Sequence, residues 1–347
     1  MKSSSIISIF IALVLIVSGY VLCAKARNSA PSDAAIDGNT LVNEDGMVVT
    51  EISLEGQTFS AVNVYAEGCK VEIHGNAEKS SITLINFNEN TYIAAASEKV
   101  LTVSNKVSLL DYLNFNGTGV KFSGVWKTLR SFLNYDTSKG EQEIHVYLAG
   151  DADISKINLS CTQNANMRVT DINKDCDIAV STSDSSLEMS TIVANSLTLA
   201  GSGGEITLGD ATLTSFEYLS SAAKFTASGV VAENLTVDTD SSDVSLHNSD
   251  FRNVSVDLAE GSLILSTKYD RSNYFRKIEI TEGEIIQNGE PIGQKDVSAE
   301  ELADKLPGNM SIKVKVGGVD ITFGSEILEP LEDPNAPETP ETPENKK

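Results

Sequence analysis

The chain has 347 residues, 41% hydrophobic and 6% aromatic, with 26 lysines and arginines against 49 acids. That apolar content supports a folded core in one large domain or two ordinary ones and excludes a wholly disordered protein. The net charge of −23 repels nucleic-acid phosphates, so no nucleic acid is expected as a partner.

Ile6 to Ala24 is a run of 19 residues without a charge. It is long enough to cross a bilayer core and longer than the usual apolar region of a cleaved signal peptide. Residues 1–27 are therefore expected to form a signal anchor, an N-terminal transmembrane helix that makes the membrane itself a partner. They carry Lys2, Lys25 and Arg27 and no acid, which leaves −26 on the remainder. Ala24-Lys25-Ala26 offers a signal peptidase its two small positions, so secretion after cleavage is the alternative. Leu22 stands where lipoprotein processing at Cys23 wants a small residue, which argues against that route. The expected localisation is the cell membrane, single-pass, with the bulk of the chain extracytoplasmic. Residues 28–55 are polar and acidic, hold Pro31, and read as a stalk merging into a strand at Glu51–Leu54.

Residues 56–327 read as one β-solenoid domain. Strand pairs begin with Val62-x-Val64, Val71-x-Ile73, Ile82-x-Leu84 and Leu101-x-Val103, and Ile82 precedes Leu101 by 19 residues, so the solenoid is expected to start here, each coil stacking on the next, with less regular early coils. An insertion at 105–140 interrupts them with Tyr112, Phe115, Phe122, Trp126, Phe132 and Tyr135, six of the 21 aromatics. Val125, Leu129 and Phe132 fall on one helical face. A flap over the solenoid's flank or end is the expected role, and a contact patch for a partner or the membrane is the alternative.

From Ile157 to Ser266 the chain repeats itself. Ile178, Leu197, Phe216, Leu235 and Val254 each open an apolar pair spaced by one residue, at intervals of 19, and Ile157 leads them by 21. Met167, Leu187, Ile206, Phe225, Val244 and Leu263 open a second series, spaced by 20 once and then by 19. Ala194, Leu213, Ala232 and Phe251 make a third. Alternation such as Leu187-Glu188-Met189 is the period of a strand with one wet face. Small turn-formers separate the strands: Ser183 to Ser186, Gly201 to Gly204, Asp240 to Asp243, Ala259 to Gly261. Proline, which would delete a ladder donor, is absent from 157–266. A fixed period near 20 marks a solenoid whose neighbouring turns complete one another's core. The expected fold is all-β, a single-stranded parallel β-helix (β-solenoid) of about 19-residue coils.

Beyond Ser266 the period stretches. A turn is expected at Gly289-Glu290-Pro291, and Ser298 with Glu301 resembles a capping box opening a short helix over 299–306. The alternating run from Ile312 through Gly317-Gly318 to Phe323 predicts a last strand pair or hairpin, the terminal cap. Residues 328–347 hold five of the eight prolines among acids and read as an extended, disordered tail.

No catalytic motif emerges, and no cofactor is expected. His74, His145 and His247 occupy alternating strand positions far apart in sequence. Cys69, Cys161 and Cys176 give no metal-like spacing, and buried, unpaired thiols are expected in preference to a Cys161–Cys176 bridge. The acidic turn Asp238, Asp240, Asp243 is the best cation candidate. It fails as an EF-hand because Asp243 stands where glycine is needed and Ser249 where the bidentate glutamate belongs, so a solvated turn is expected. The outward acids Asp177, Glu188, Glu205 and Asp257 share no constant column and offer no pair for glycoside chemistry. Catalytic, cofactor-binding and metal residues are accordingly expected to be none.

The phrases at 197–208 (LTLAGSGGEITL) and 235–246 (LTVDTDSSDVSL) resemble the repeat of the bacterial putative-adhesin domain family. That family is a β-solenoid domain of unknown function often found behind a membrane anchor. The resemblance implies a non-enzymatic, surface-displayed protein with a protein or glycan partner at the cell envelope, and it supplies no catalytic residues. An accessory of a membrane envelope-stress sensing complex is the second reading, and a polysaccharide-active β-helix enzyme the third.

Overall fold

The computed structural model describes residues 38–42, 48–87, 92–97, 99–105, 141–303 and 305–328. The apolar run at 6–24, nearly all of the aromatic insertion and the proline-rich tail lie outside them. Among the described residues no helix is long and apolar enough to cross a membrane.

Eighteen strands make up the described chain: β1 (Gly38–Val42), β2 (Val48–Ser53), β3 (Ala61–Glu67), β4 (Lys70–Ala77), β5 (Ser81–Ile85), β6 (Ile93–Ser97), β7 (Val100–Ser104), β8 (Glu143–Ala149), β9 (Lys156–Thr162), β10 (Asn166–Asn173), β11 (Asp177–Ser220), β12 (Lys224–Ser241), β13 (Val244–His247), β14 (Asp250–Tyr269), β15 (Tyr274–Gln287), β16 (Glu290–Gly293), β17 (Lys295–Val297) and β18 (Gly308–Glu326). The chain divides into two compact units, one ending at Thr207 and one beginning at Leu208.

In the first unit the ladder register is the sequence period. Ile178 lies beside Ile157 in the β11–β9 pairing, and Leu187 beside Met167 in the β10–β11 pairing, both parallel. All four side chains are buried. Their carbon surfaces meet across the roughly 4.8 Å spacing of paired strands.

The coils do not stack in chain order. One ladder runs β7–β3–β9–β11, setting Leu101, Val62, Ile157 and Ile178 side by side. The other runs β8–β4–β10–β11 and aligns Ile144, Val71, Met167 and Leu187. The coil of β3 and β4 therefore sits between that of β7 and β8 and that of β9 and β10. This corrects the expected sequential start at Ala61. Ile82 belongs to no parallel coil, because β5 runs antiparallel to β8 and to β2. Alternation reads the same in both chain directions, so the apolar pattern of β5 could not reveal its sense. The antiparallel pairs β6–β7 and β1–β2 continue the two ladders past the outermost parallel strands, where unpaired backbone would otherwise be open to further pairing.

The second unit repeats the device. β12 pairs with β13 and β14 at an offset of 19 residues, as in Phe225 with Val244 and Leu235 with Val254. The last strand in sequence, β18, then lies between β14 and β15, so that Val256, Ile312 and Ile278 form one inward row. The run expected to be the terminal cap is thus an interior coil, and the cap is made by β16 and β17, antiparallel to β15. The expected turn at Gly289 is present: Asn288 and Gly289 both have positive φ, 49° and 81°, as a two-residue hairpin turn requires. The expected helix over 299–306 is reduced to a 3-10 turn at Glu300–Leu302 without a side-chain cap. Its cap position is held by Ala299, and the Ser298 hydroxyl instead accepts the Arg276 N–H at 3.0 Å.

Candidate functional site

The stacking order brings together residues that the sequence keeps 71 positions apart. Strands β4 and β8 carry the same tripeptide, Glu72-Ile73-His74 and Glu143-Ile144-His145. In both, the isoleucine is fully buried and its two neighbours face outward. The register offsets the tripeptides by two residues, so Lys70 lies opposite Glu143, Glu72 opposite His145, and His74 opposite Tyr147. Cross-strand neighbours at this spacing are within side-chain reach.

The result is a half-buried cluster on the outer face of the first unit. His145 Nδ1 is 3.1 Å from Glu72 Oε2, and its Nε2 is 3.1 Å from Glu143 Oε2. His74 Nε2 stands 3.6 Å from the same Glu72 oxygen. Lys70 Nζ donates to the remaining Glu72 oxygen, Oε1, at 3.0 Å and to Glu143 at 3.1 Å. His74 is held from outside the cluster as well: Nδ1 lies 3.0 Å from Thr170 Oγ1 on β10, and the ring stacks on Tyr147 with centroids 5.1 Å apart. Burial pushes the Glu72 carboxyl up, but the Lys70 hydrogen bond and the His145 charge outweigh it and hold the carboxyl below its usual range. The same hydrogen bonds, to Glu72 and Glu143, raise the Lys70 ammonium.

Other sequence candidates are placed differently. His247 is exposed, and so are Asp238, Asp240 and Asp243. Asp243 is used locally, accepting from the Ser262 N–H at 3.0 Å and the Ser262 hydroxyl at 2.6 Å. Asp177, Glu188, Glu205 and Asp257 are all exposed. Asp177 accepts from Asn195 and Ser196 in the next coil, while Glu188 pairs with Arg168 at 3.2 Å. Cys69, Cys161 and Cys176 are buried and free, with burial pushing their thiols up to about 12, 11 and 11. Inspection of the histidines one at a time missed the cluster. The twice-occurring Glu-Ile-His was its only sequence signal.

A model of the Toastrack family, DUF4097, matches residues 60–323. The chain belongs to this family. The match bears out the resemblance read from the repeat phrases. No curated protein matches the chain. Among solved structures it is similar to a putative lipid binding protein from Parabacteroides distasonis, at 10% identity and a TM-score of 0.40, over 81% of this chain and 95% of that one. It is also similar to a putative cell adhesion protein from Clostridium sporogenes, at 14% identity and 0.33, over 80% and 98%. A putative adhesin from Bacteroides fragilis matches at 9% identity and 0.35, over 79% and 96%. Within the Toastrack region lie all the residues of the Glu72–His74–His145 cluster, on strands whose inward side chains are core.

Proposed function

We propose that this Toastrack protein is a non-enzymatic binding solenoid, held at the membrane by its N-terminal segment and displaying its coils outside the cell. The observation that carries the reading is the register of the stack. Outward side chains form rows that pass from coil to coil, as in Asn158 donating to Asn63 at 2.8 Å and Asn195 to Asp177 at 3.0 Å. Rigid rows of polar groups at strand spacing suit contact with an extended polymer or protein surface, because little side-chain freedom is lost on binding. The uncharged run at 6–24 supports the anchor, and the family match is compatible with an adhesin-like role.

Two measurements test the proposal. Protease applied to intact cells should remove an epitope at the C-terminus, and resistance would overturn external display. Crosslinking of the full-length protein on living cells should then recover wall polymer or material from another cell. Recovery of integral-membrane sensors instead would favour the accessory role in envelope-stress sensing.

A further inference from the structure

We infer that Glu72, His74 and His145 form a binding site for one divalent transition-metal ion of the zinc type. One ligand atom from each residue, the Glu72 carboxylate and a ring nitrogen from each histidine, lies within 4.8 Å of the other two. Two imidazole nitrogens and a carboxylate are a donor set that zinc takes with a fourth position left for water. Bonds of about 2.0–2.1 Å put tetrahedral donors roughly 3.4 Å apart. The His145 and His74 nitrogens, 3.1 and 3.6 Å from Glu72 Oε2, already straddle that value.

The surroundings have the form that orients metal ligands. A ligating histidine ordinarily donates its other ring N–H to a fixed acceptor, which sets the tautomer. Thr170 Oγ1 stands at His74 Nδ1 and leaves Nε2 facing the cluster. Glu143 Oε2 stands at His145 Nε2 and leaves Nδ1 facing it. Lys70 occupies the Glu72 oxygen turned away from the histidines. With both imidazoles neutral, the form in which they ligate a metal, two carboxylates and one ammonium leave the pocket one net negative charge. The donors come from β4 and β8, which are paired strands of the stack, so folding places them before any metal arrives.

The test uses the detergent-solubilised full-length protein, stripped with chelator and titrated with Zn2+ by calorimetry. The expected result is one ion per chain. His74→Ala and His145→Ala should each lower affinity at least tenfold, Thr170→Val by about tenfold, and His247→Ala not at all. Thermal unfolding of each apo variant checks that it folds. Absence of binding, or equal affinity in the His74→Ala/His145→Ala double variant, would overturn the proposal. X-ray absorption on the zinc-loaded wild-type chain stands independent of any variant. Two imidazoles with oxygen support the site, whereas a sulfur shell would place the ion at a cysteine and overturn it.

Discussion

Lys174 is a buried lysine whose partners are three backbone carbonyls. Its Nζ donates to Ala149 at 2.8 Å, Gly150 at 3.2 Å and Ala152 at 3.0 Å, tying the turn after β8 to the coil of β10. Burial draws the ammonium below the ordinary lysine range, while the Asp151 charge pulls the other way. Lys174→Met keeps the stem and strands the carbonyls, and should cost about 2 kcal/mol or more in denaturant melts. The thiols make a second case at this scale. With burial raising all three, Cys69, Cys161 and Cys176 stay protonated near neutral pH and closed to reagent. In a Cys23→Ser background, a thiol-reactive chromophore at pH 8 should count none in the folded protein and three in guanidinium. The Glu72–Lys70 pair gives a pH signature. Glu72 is held below its ordinary 4.5, so its contribution is present above that value and lost as pH falls through the lowered one. Lys70 is raised above 10.5, so its contribution is present below that value and lost as pH rises through the raised one. Melting temperature should fall on both flanks, and Lys70→Met should flatten each.

At the scale of the element, the corners decide what the strands can do. Gly261, Gly317 and Gly283 lie side by side across β14, β18 and β15, with φ of 123°, 147° and 141°. A Cβ on Gly317 would overlap the Gly261 carbonyl oxygen, and one on Gly283 the Gly317 carbonyl oxygen. The column is an unbroken backbone-to-backbone approach, available only to glycine. Gly317→Ala should lower stability by more than about 3 kcal/mol, since strain and overlap act together. Gly289→Ala, at a positive φ but in open space, should cost only about 1 kcal/mol. The sequence placed Gly317-Gly318 within a run that predicts a last strand pair or hairpin. It did not mark Gly261, Gly317 and Gly283 as one column, because that relation exists only once β18 has been threaded between its neighbours.

Each of the two units, taken by itself, has the same habit: the coil next to its outermost parallel coil is made by a strand out of chain order. β3 and β4 are made before the coil that lies outside them, and β18 after it. Deleting 308–326 therefore does more than trim a terminus. It strips β14 and β15 of their common partner, and the expected outcome is loss of cooperative unfolding in the second unit. A mild drop in melting temperature would instead fit a sequential stack. The sequence by itself determined the strands, the inward faces and the 19- to 21-residue period. Alternation and its recurrence are local properties, and burying the apolar rows admits a single phase for each strand. Only the tertiary structure decided which coil neighbours which, and the His74–Glu72–His145 cluster with it. Backbone donors and acceptors carry no address, so any coil with matching inward rows can pair with any other. The choice falls to contacts between strands distant in sequence, which no local pattern encodes.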